Sequence, residues 1–335
     1  MLLKACLGFS IVGWLYFASY CASYSVEVLP PHGSTSSLMV TGINDSGWVT
    51  GYYDDGQYFR SLLWNTRQWL PLSGFSAKST FSHAINSSGT VVGQSDLPTQ
   101  FWHGFSFENG IMNDVTPSNR IGAANGINDL GVICGYAYFN GIGTRAFIRS
   151  QGTLRNLGTL GGPSSMGYDI NRSNQVVGMS STAARVTEAF FFNGSSMISI
   201  APPGASWSNA EKVNDLGWAV GNFTSAQGNR GFFYNGVQSA DVGLLPGMQE
   251  LWLKDINAAG VAVGYGFIDD NNFKAVKFVN GALTDLTVEI DPACPVRVAA
   301  AFAINDRGWI AALGTIDGVT GVTAILKPLP PAGSR

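Results

Sequence analysis

The stretch Gly126-Ile127-Asn128-Asp129-Leu130-Gly131-Val132-Ile133-Cys134-Gly135 holds the pattern that decides the fold. An Ile-Asn pair precedes two turn-forming residues and a Gly, and a short β-branched run follows. The Ile/Val-Asn pair recurs at Ile43-Asn44, Ile85-Asn86, Ile170-Asn171, Val213-Asn214, Ile256-Asn257 and Ile304-Asn305. Successive asparagines stand 42, 42, 43, 43, 43 and 48 residues apart. A period of this size, kept along the whole chain, means one small unit copied around a ring or along a rod. Asn can accept bonds from its own backbone two residues on, and Gly takes the left-handed conformation that closes a hairpin. The fourth copy reads Asn171-Arg172-Ser173-Asn174. Asn is the next-best left-handed residue, so this exception fits the turn.

Each copy holds four short apolar pieces. In the second they are Ser82 to Ile85, Thr90 to Gly93, Gly104 to Phe107 and Ile111 to Val115. In the fifth they are Ala210 to Val213, Trp218 to Gly221, Gly231 to Tyr234 and Val237 to Val242. Four strands of about five residues with four connections consume roughly 40 residues, which matches the period. Helical repeats would need long 3.6-spaced runs, and the chain has none. Asn109-Gly110, Asn193-Gly194, Asn235-Gly236 and Asn280-Gly281 mark hairpins between the third and fourth strands. The last copy lacks a fourth strand, while Val26-Glu27-Val28-Leu29 is an orphan strand before the first copy. Pairing them closes a ring without exposed edges. The expected fold is therefore an all-β, seven-bladed β-propeller of four-stranded blades, strands A to D in chain order. It should span residues 24–329, followed by a short 330–335 tail.

Only 12% of the 335 residues are charged, Gly numbers 42, and the net charge is −3. An average soluble domain is about 25% charged. With no basic run, a nucleic-acid partner is not expected. Lys4 and the uncharged run from Ala5 to about Ala22 resemble a secretory signal peptide over residues 1–23, cut after Cys21 or Ser23. An uncleaved anchor is the alternative, since about 18 apolar residues can just cross a bilayer. Of the four Cys, only Cys134 and Cys294 lie outside the leader, too far apart in such a ring for a bridge. A secreted, periplasmic or cell-surface bacterial monomer is expected, with no membrane contact beyond the leader.

The recurring Gly-Ile-Asn-Asp-x-Gly, the stretch from Asn156 to Gly178 and the tripeptides His103-Gly104-Phe105, Arg145-Ala146-Phe147, Glu188-Ala189-Phe190 and Arg230-Gly231-Phe232 resemble the HAF repeat of extracellular bacterial proteins. The resemblance covers about residues 37 to 326. It implies export and a propeller-like fold, and it transfers no catalytic residue.

A–B and C–D turns are short and alike, whereas B–C and D–A connections are long and different. Antiparallel strands put both variable sets on one face, where a ligand is expected near the channel mouth. Ligand-binding candidates from the B–C side are Tyr52, Tyr53, Asp54, Tyr58, Trp102, Tyr138 and Asp269; the D–A side adds Trp207 and Trp252. Aromatics there suit sugar stacking or a peptide groove, and equally the packing of loops on one another. The residue three before each turn Asn varies: Thr41, His83, Asn125, Tyr168, Glu211, Lys254 and Phe302. On an innermost strand A these would ring the channel. Arg60, His103, Arg145, Glu188, Arg230 and Lys274 open strand C and should bridge blades, or form a collar for an acidic polysaccharide. The 48-residue interval places an insertion near Asp291 to Val298 on the variable face.

Three His without metal-ligand spacing, no phosphate loop and no nucleophile elbow leave no cofactor or metal expected. The leading reading is a non-catalytic module that binds a glycan or a cell-surface protein. The alternative is a polysaccharide-active enzyme. A lyase would use His83 or Tyr168 against a uronate whose carboxylate a cation neutralises. A hydrolase would need facing carboxyls, for which Glu211 with Asp55 or Glu250 are the candidates.

Overall fold

The structure is a computed structural model that describes residues 18–21, 23–33, 37–76, 78–98, 102–116, 121–269 and 272–330. Seven antiparallel sheets form a ring of seven blades. The strands A are Met39–Ile43, Thr80–Ile85, Gly122–Ile127, Gly161–Ile170, Trp207–Val213, Glu250–Ile256 and Val296–Ile304. Each pairs with its strand B, then C, then D in sequence order. The seventh blade takes its fourth strand from the N-terminal segment. Tyr24–Val28 pairs antiparallel with Val319–Pro328, with Val26 opposite Leu326. The expected leader lies mostly outside the described residues; from it, Ala18–Cys21 pairs with Tyr24–Val28 as an outer fifth strand.

The core lies between blades. The Phe of each tripeptide, Phe105, Phe147, Phe190 and Phe232, is fully buried. Phe190 packs with Cys134, Ala146 and Ile148 of the preceding blade. The small residue before it is also explained: a Cβ on Gly104 would meet the backbone of Ala123 and Ala124 in the next blade. Cys134 and Cys294 are free thiols, Cys134 buried.

The turns behave as their chemistry requires. Gly47 Nα donates to Asn44 O, and Asn44 Oδ1 accepts from Ser46 and Trp48. Asn174 holds φ 58°, the left-handed role expected of it. Asn109-Gly110 and Asn280-Gly281 have both residues at positive φ. Asn193 and Asn235 differ: only the following Gly is left-handed, and each Asn side chain caps a wider turn through two backbone N–H groups.

The turn asparagines also do something that local chemistry does not foretell. Asn44 Nδ2 donates to Asn86 O at 3.1 Å, in the next blade. Asn86 reaches Asn128 O, Asn128 reaches Asn171 O, and Asn171 reaches Asn214 O. Asn214 reaches Asn257 O, Asn257 reaches Asn305 O, and Asn305 returns to Asn44 O at 2.9 Å. Seven side-chain amides thus form a closed hoop that links every blade to the next.

Inner strands run further toward the variable face than the repeat suggests. Strand A of the fifth blade starts at Trp207 rather than Ala210, and strand B runs to Ser225 rather than Gly221. The 48-residue interval holds a 3-10 turn, Leu286–Glu289, and a lengthened strand A, Val296–Ile304.

Candidate functional site

All seven strands A break register at one place. The ladder to strand B skips from Val40 to Gly42, Ser82 to Ala84, Ala124 to Gly126 and Gly167 to Asp169. It skips again from Ala210 to Lys212, Leu253 to Asp255 and Ala301 to Ala303. The residues passed over are Thr41, His83, Asn125, Tyr168, Glu211, Lys254 and Phe302. A β-bulge leaves its extra residue unpaired and re-aims its side chain. Here the extra residue is the variable one in every blade, and all seven line a single cavity of ≈ 260 Å³ at the channel mouth, with Tyr52, Val40 and Lys212.

The next residue along each strand A is Gly42, Ala84, Gly126, Asp169, Lys212, Asp255 and Ala303. Three consecutive blades thus supply charge. Lys212 Nζ lies 3.5 Å from Asp169 Oδ1. Lys212 borders the upper cavity, while Asp169 borders a second cavity of ≈ 180 Å³ on the turn face. Asp169 and Asp255 also accept from the next blade's backbone, at Val213 Nα (3.0 Å) and Ile304 Nα (2.8 Å). Burial pushes the Asp255 carboxyl up to about 6 against the pull of Lys212. Burial disfavours the Lys212 cation, yet the carboxylates of Asp169 and Asp255 outweigh it and raise its pKa.

In the upper ring, Glu211 Oε1 accepts from Asn209 and Asn222 and lies 3.4 Å from Lys254 Nζ. His83 Nδ1 donates to Ala124 O at 3.3 Å, which leaves Nε2 as an acceptor. Burial lowers the His83 pKa to about 4. Burial, then Glu211, raises the Tyr168 phenol.

Of the expected ligand-binding residues, the cavity gathers Tyr52 and Lys254 beside His83, Tyr168 and Glu211. It does not gather Tyr53, Asp54, Tyr58, Trp102, Tyr138, Trp207, Trp252 or Asp269. Trp207 and Trp252, expected in D–A connections, lie within strand A. Tyr52, Tyr53, Asp54, Tyr138 and Asp269 lie on strand B, and Trp102 starts strand C. Tyr58 alone of these is in a loop, under the Arg60 guanidinium. Much of the aromatic surface packs on itself. Tyr52, Phe59, Phe81 and Trp102 form one cluster with centroid spacings of 4.7 to 5.9 Å. Tyr265, Phe267, Phe273 and Phe302 form another. Tyr53 stacks on His32 at 4.5 Å.

The strand C set does not bridge blades uniformly. Arg60 reaches Lys78 O and Arg145 reaches Pro163 O, toward the next blade. His103, Glu188 and Lys274 instead bind Asp114, Ser199 and Asp285 on their own strand D or its end. Nor are the hydrolase carboxyls gathered. Asp55 is held by Arg60, Glu250 by Asn229, and neither borders the Glu211 cavity. Among the described residues no group of three or more His, Cys, Asp or Glu could hold a metal, and no helix is long and apolar enough to cross a membrane.

No family model matches the chain, and no curated protein matches it in sequence. Solved structures do resemble it. The β-propeller domain of the Trilobed protease from Pyrococcus furiosus is 7% identical, with TM-score 0.53 over 90% of this chain and 98% of that one. YCF48, solved with a D1 peptide, is 11% identical, with TM-score 0.52 over 94% of this chain and 100% of that one. TolB from Acinetobacter baumannii is 9% identical at TM-score 0.47 over 81% of this chain, which spans only 60% of the TolB chain. At such identities the likeness is one of fold. The class is therefore a seven-bladed propeller, a rigid ring able to present a ligand site at its channel mouth.

Proposed function

We propose that this chain is an exported, non-catalytic binding propeller of the HAF-repeat type, which engages a glycan or protein ligand at the channel mouth of its long-loop face. One observation carries this reading. Every blade uses the same bulge to aim a different side chain into the same cavity. A scaffold under purely structural demand would repeat that residue as it repeats the turn Asn. Export rests on the apolar leader. The test is binding of the full chain, after natural processing, to glycan and surface-protein arrays. Binding that Tyr168→Ala and Lys254→Ala weaken together supports the reading; binding that neither changes refutes it.

The lyase alternative draws on His83, Tyr168 and Lys254 sharing that cavity. His83 is unprotonated at neutral pH, as a base must be, though a pKa of about 4 makes it a weak one. Its bond goes to Ala124 O, and no hydrogen bond joins it to Tyr168. Appearance of unsaturated sugar ends on incubation with uronate polymers would favour the lyase; binding without turnover would exclude it.

A further inference from the structure

The upper cavity is shallow, charged and walled by aromatic rings, and together these features specify a ligand. The Asp169–Lys212 pair lies between it and the lower cavity, Lys212 bordering the upper one and Asp169 the lower. Its ≈ 260 Å³ lies just under the roughly 300 Å³ at which sites for drug-sized ligands begin, room for one sugar-sized group. The charged side chains that border it are Lys212, Lys254 and Glu211. Lys212 is matched by Asp169 and Asp255, so the ammonium left for a ligand is that of Lys254. Glu211 is already occupied by two amides and Lys254, while Lys254 has Glu211 as its hydrogen-bond partner at 3.4 Å and N–H groups to spare.

One wall is aromatic. Phe302 packs on Tyr265 at 5.4 Å and Tyr52 on Phe81 at 4.9 Å, so both are held in place. Tyr168, Asn125 and His83 border the same cavity with polar side chains. Aromatic rings together with donors and acceptors in one cavity suit a pyranose, apolar on its C–H face and polar at its rim.

A peptide strand fits less well. Strand addition needs free backbone groups on a sheet edge. Here the inner edges are capped from neighbouring blades. Asn125 holds Gly167 O, His83 holds Ala124 O, and Asn222 holds both Leu253 Nα and Leu253 O. Asp169 and Asp255 take Val213 Nα and Ile304 Nα.

We infer that the site takes the anionic end of an acidic glycan, a terminal uronic acid inserted end-on with its carboxylate on Lys254 and its ring against Tyr52 and Phe302. This rests on the channel mouth being the binding site. Isothermal titration of the full processed chain tests it with three probes: a disaccharide ending in glucuronate or galacturonate, its methyl ester, and a trisaccharide with a neutral hexose added over the uronate. The acid should bind at least about tenfold more tightly than either analogue, the scale of one charge-assisted hydrogen bond. Lys254→Met should weaken it by a similar factor, Lys254→Arg should restore much of it, and Glu211→Gln should tighten it. Equal binding of the methyl ester or the extended trisaccharide overturns the inference. So does failure of every uronate probe when the arrays return a neutral glycan or a protein, an outcome that leaves the binding role standing. Arrays that return nothing overturn both.

Discussion

Asn128 shows how much one side chain does in this ring. Its Oδ1 accepts from Leu130 and Val132, and its Nδ2 donates to Asn171 O and Asn174 Oδ1. The first pair of bonds is local and legible from turn chemistry. The second crosses to the next blade and is not. A clue was nonetheless present: Asp would serve the turn as well as Asn, yet all seven copies use Asn. Only the amide supplies a donor. Asn128→Ala should cost about 3 kcal/mol in denaturant unfolding, since buried backbone groups lose their partners. Asn128→Asp should separate the two roles. A protonated Asp can still donate, whereas a carboxylate facing Asn171 O cannot, so that variant should lose stability as pH rises. Asp255 carries the opposite lesson about charge. Its folded pKa of about 6 stands above its ordinary 3.8, so the folded state holds the extra proton between those values. Its contribution is greatest below pH 4 and is lost as pH rises through 6. Relative to Asp255→Asn, the native chain should therefore lose stability from pH 4 to 7, read from unfolding midpoints at each pH.

Strand A becomes a functional element through its bulge. The bulge has a counterpart on strand B, where Gly51, Gly93, Gly135, Gly178, Gly221 and Gly264 recur, and the seventh blade has Ala312 in their place. A Cβ on Gly221 would collide with Asn209 O and the Phe232 ring, and each of the other five would likewise meet a strand A carbonyl. The Gly thus permits close approach of the two strands where the ladder slips. Gly221→Ala should cost at least about 3 kcal/mol through backbone displacement. The measurement is the thermal midpoint, with Gly236→Ala as a turn-face comparison. The recurring strand B Gly is visible in the sequence, but its link to a bulge is not. A bulge is a register difference between two strands, and one strand alone carries no register. The same limit explains the short strand bounds. Repeats mark only where copies agree, and the inner strands continue past that point into residues that differ.

The whole ring depends on its closure. Tyr24–Val28 completes the seventh blade, and Glu27 pairs with Lys327 at 2.6 Å. Val26 lies in the core with Ile310, Ala312 and Leu326. Val26→Asp places an unpaired charge there and should cost on the order of 4 kcal/mol. Proteolysis should then release the N-terminal strand before the other blades unfold. The sequence alone determined the seven copies, the four strands of each, the closing strand and which face varies. These follow from periodicity and turn chemistry, which are local. Tertiary structure alone decided the amide hoop, the common bulge and the charged waist. It also decided that Tyr52, His83, Tyr168, Glu211 and Lys254 share a cavity while Trp102, Trp207 and Trp252 do not border it. Each of those depends on how neighbouring blades meet, and groups more than 40 residues apart come within hydrogen-bond reach only when the ring is closed.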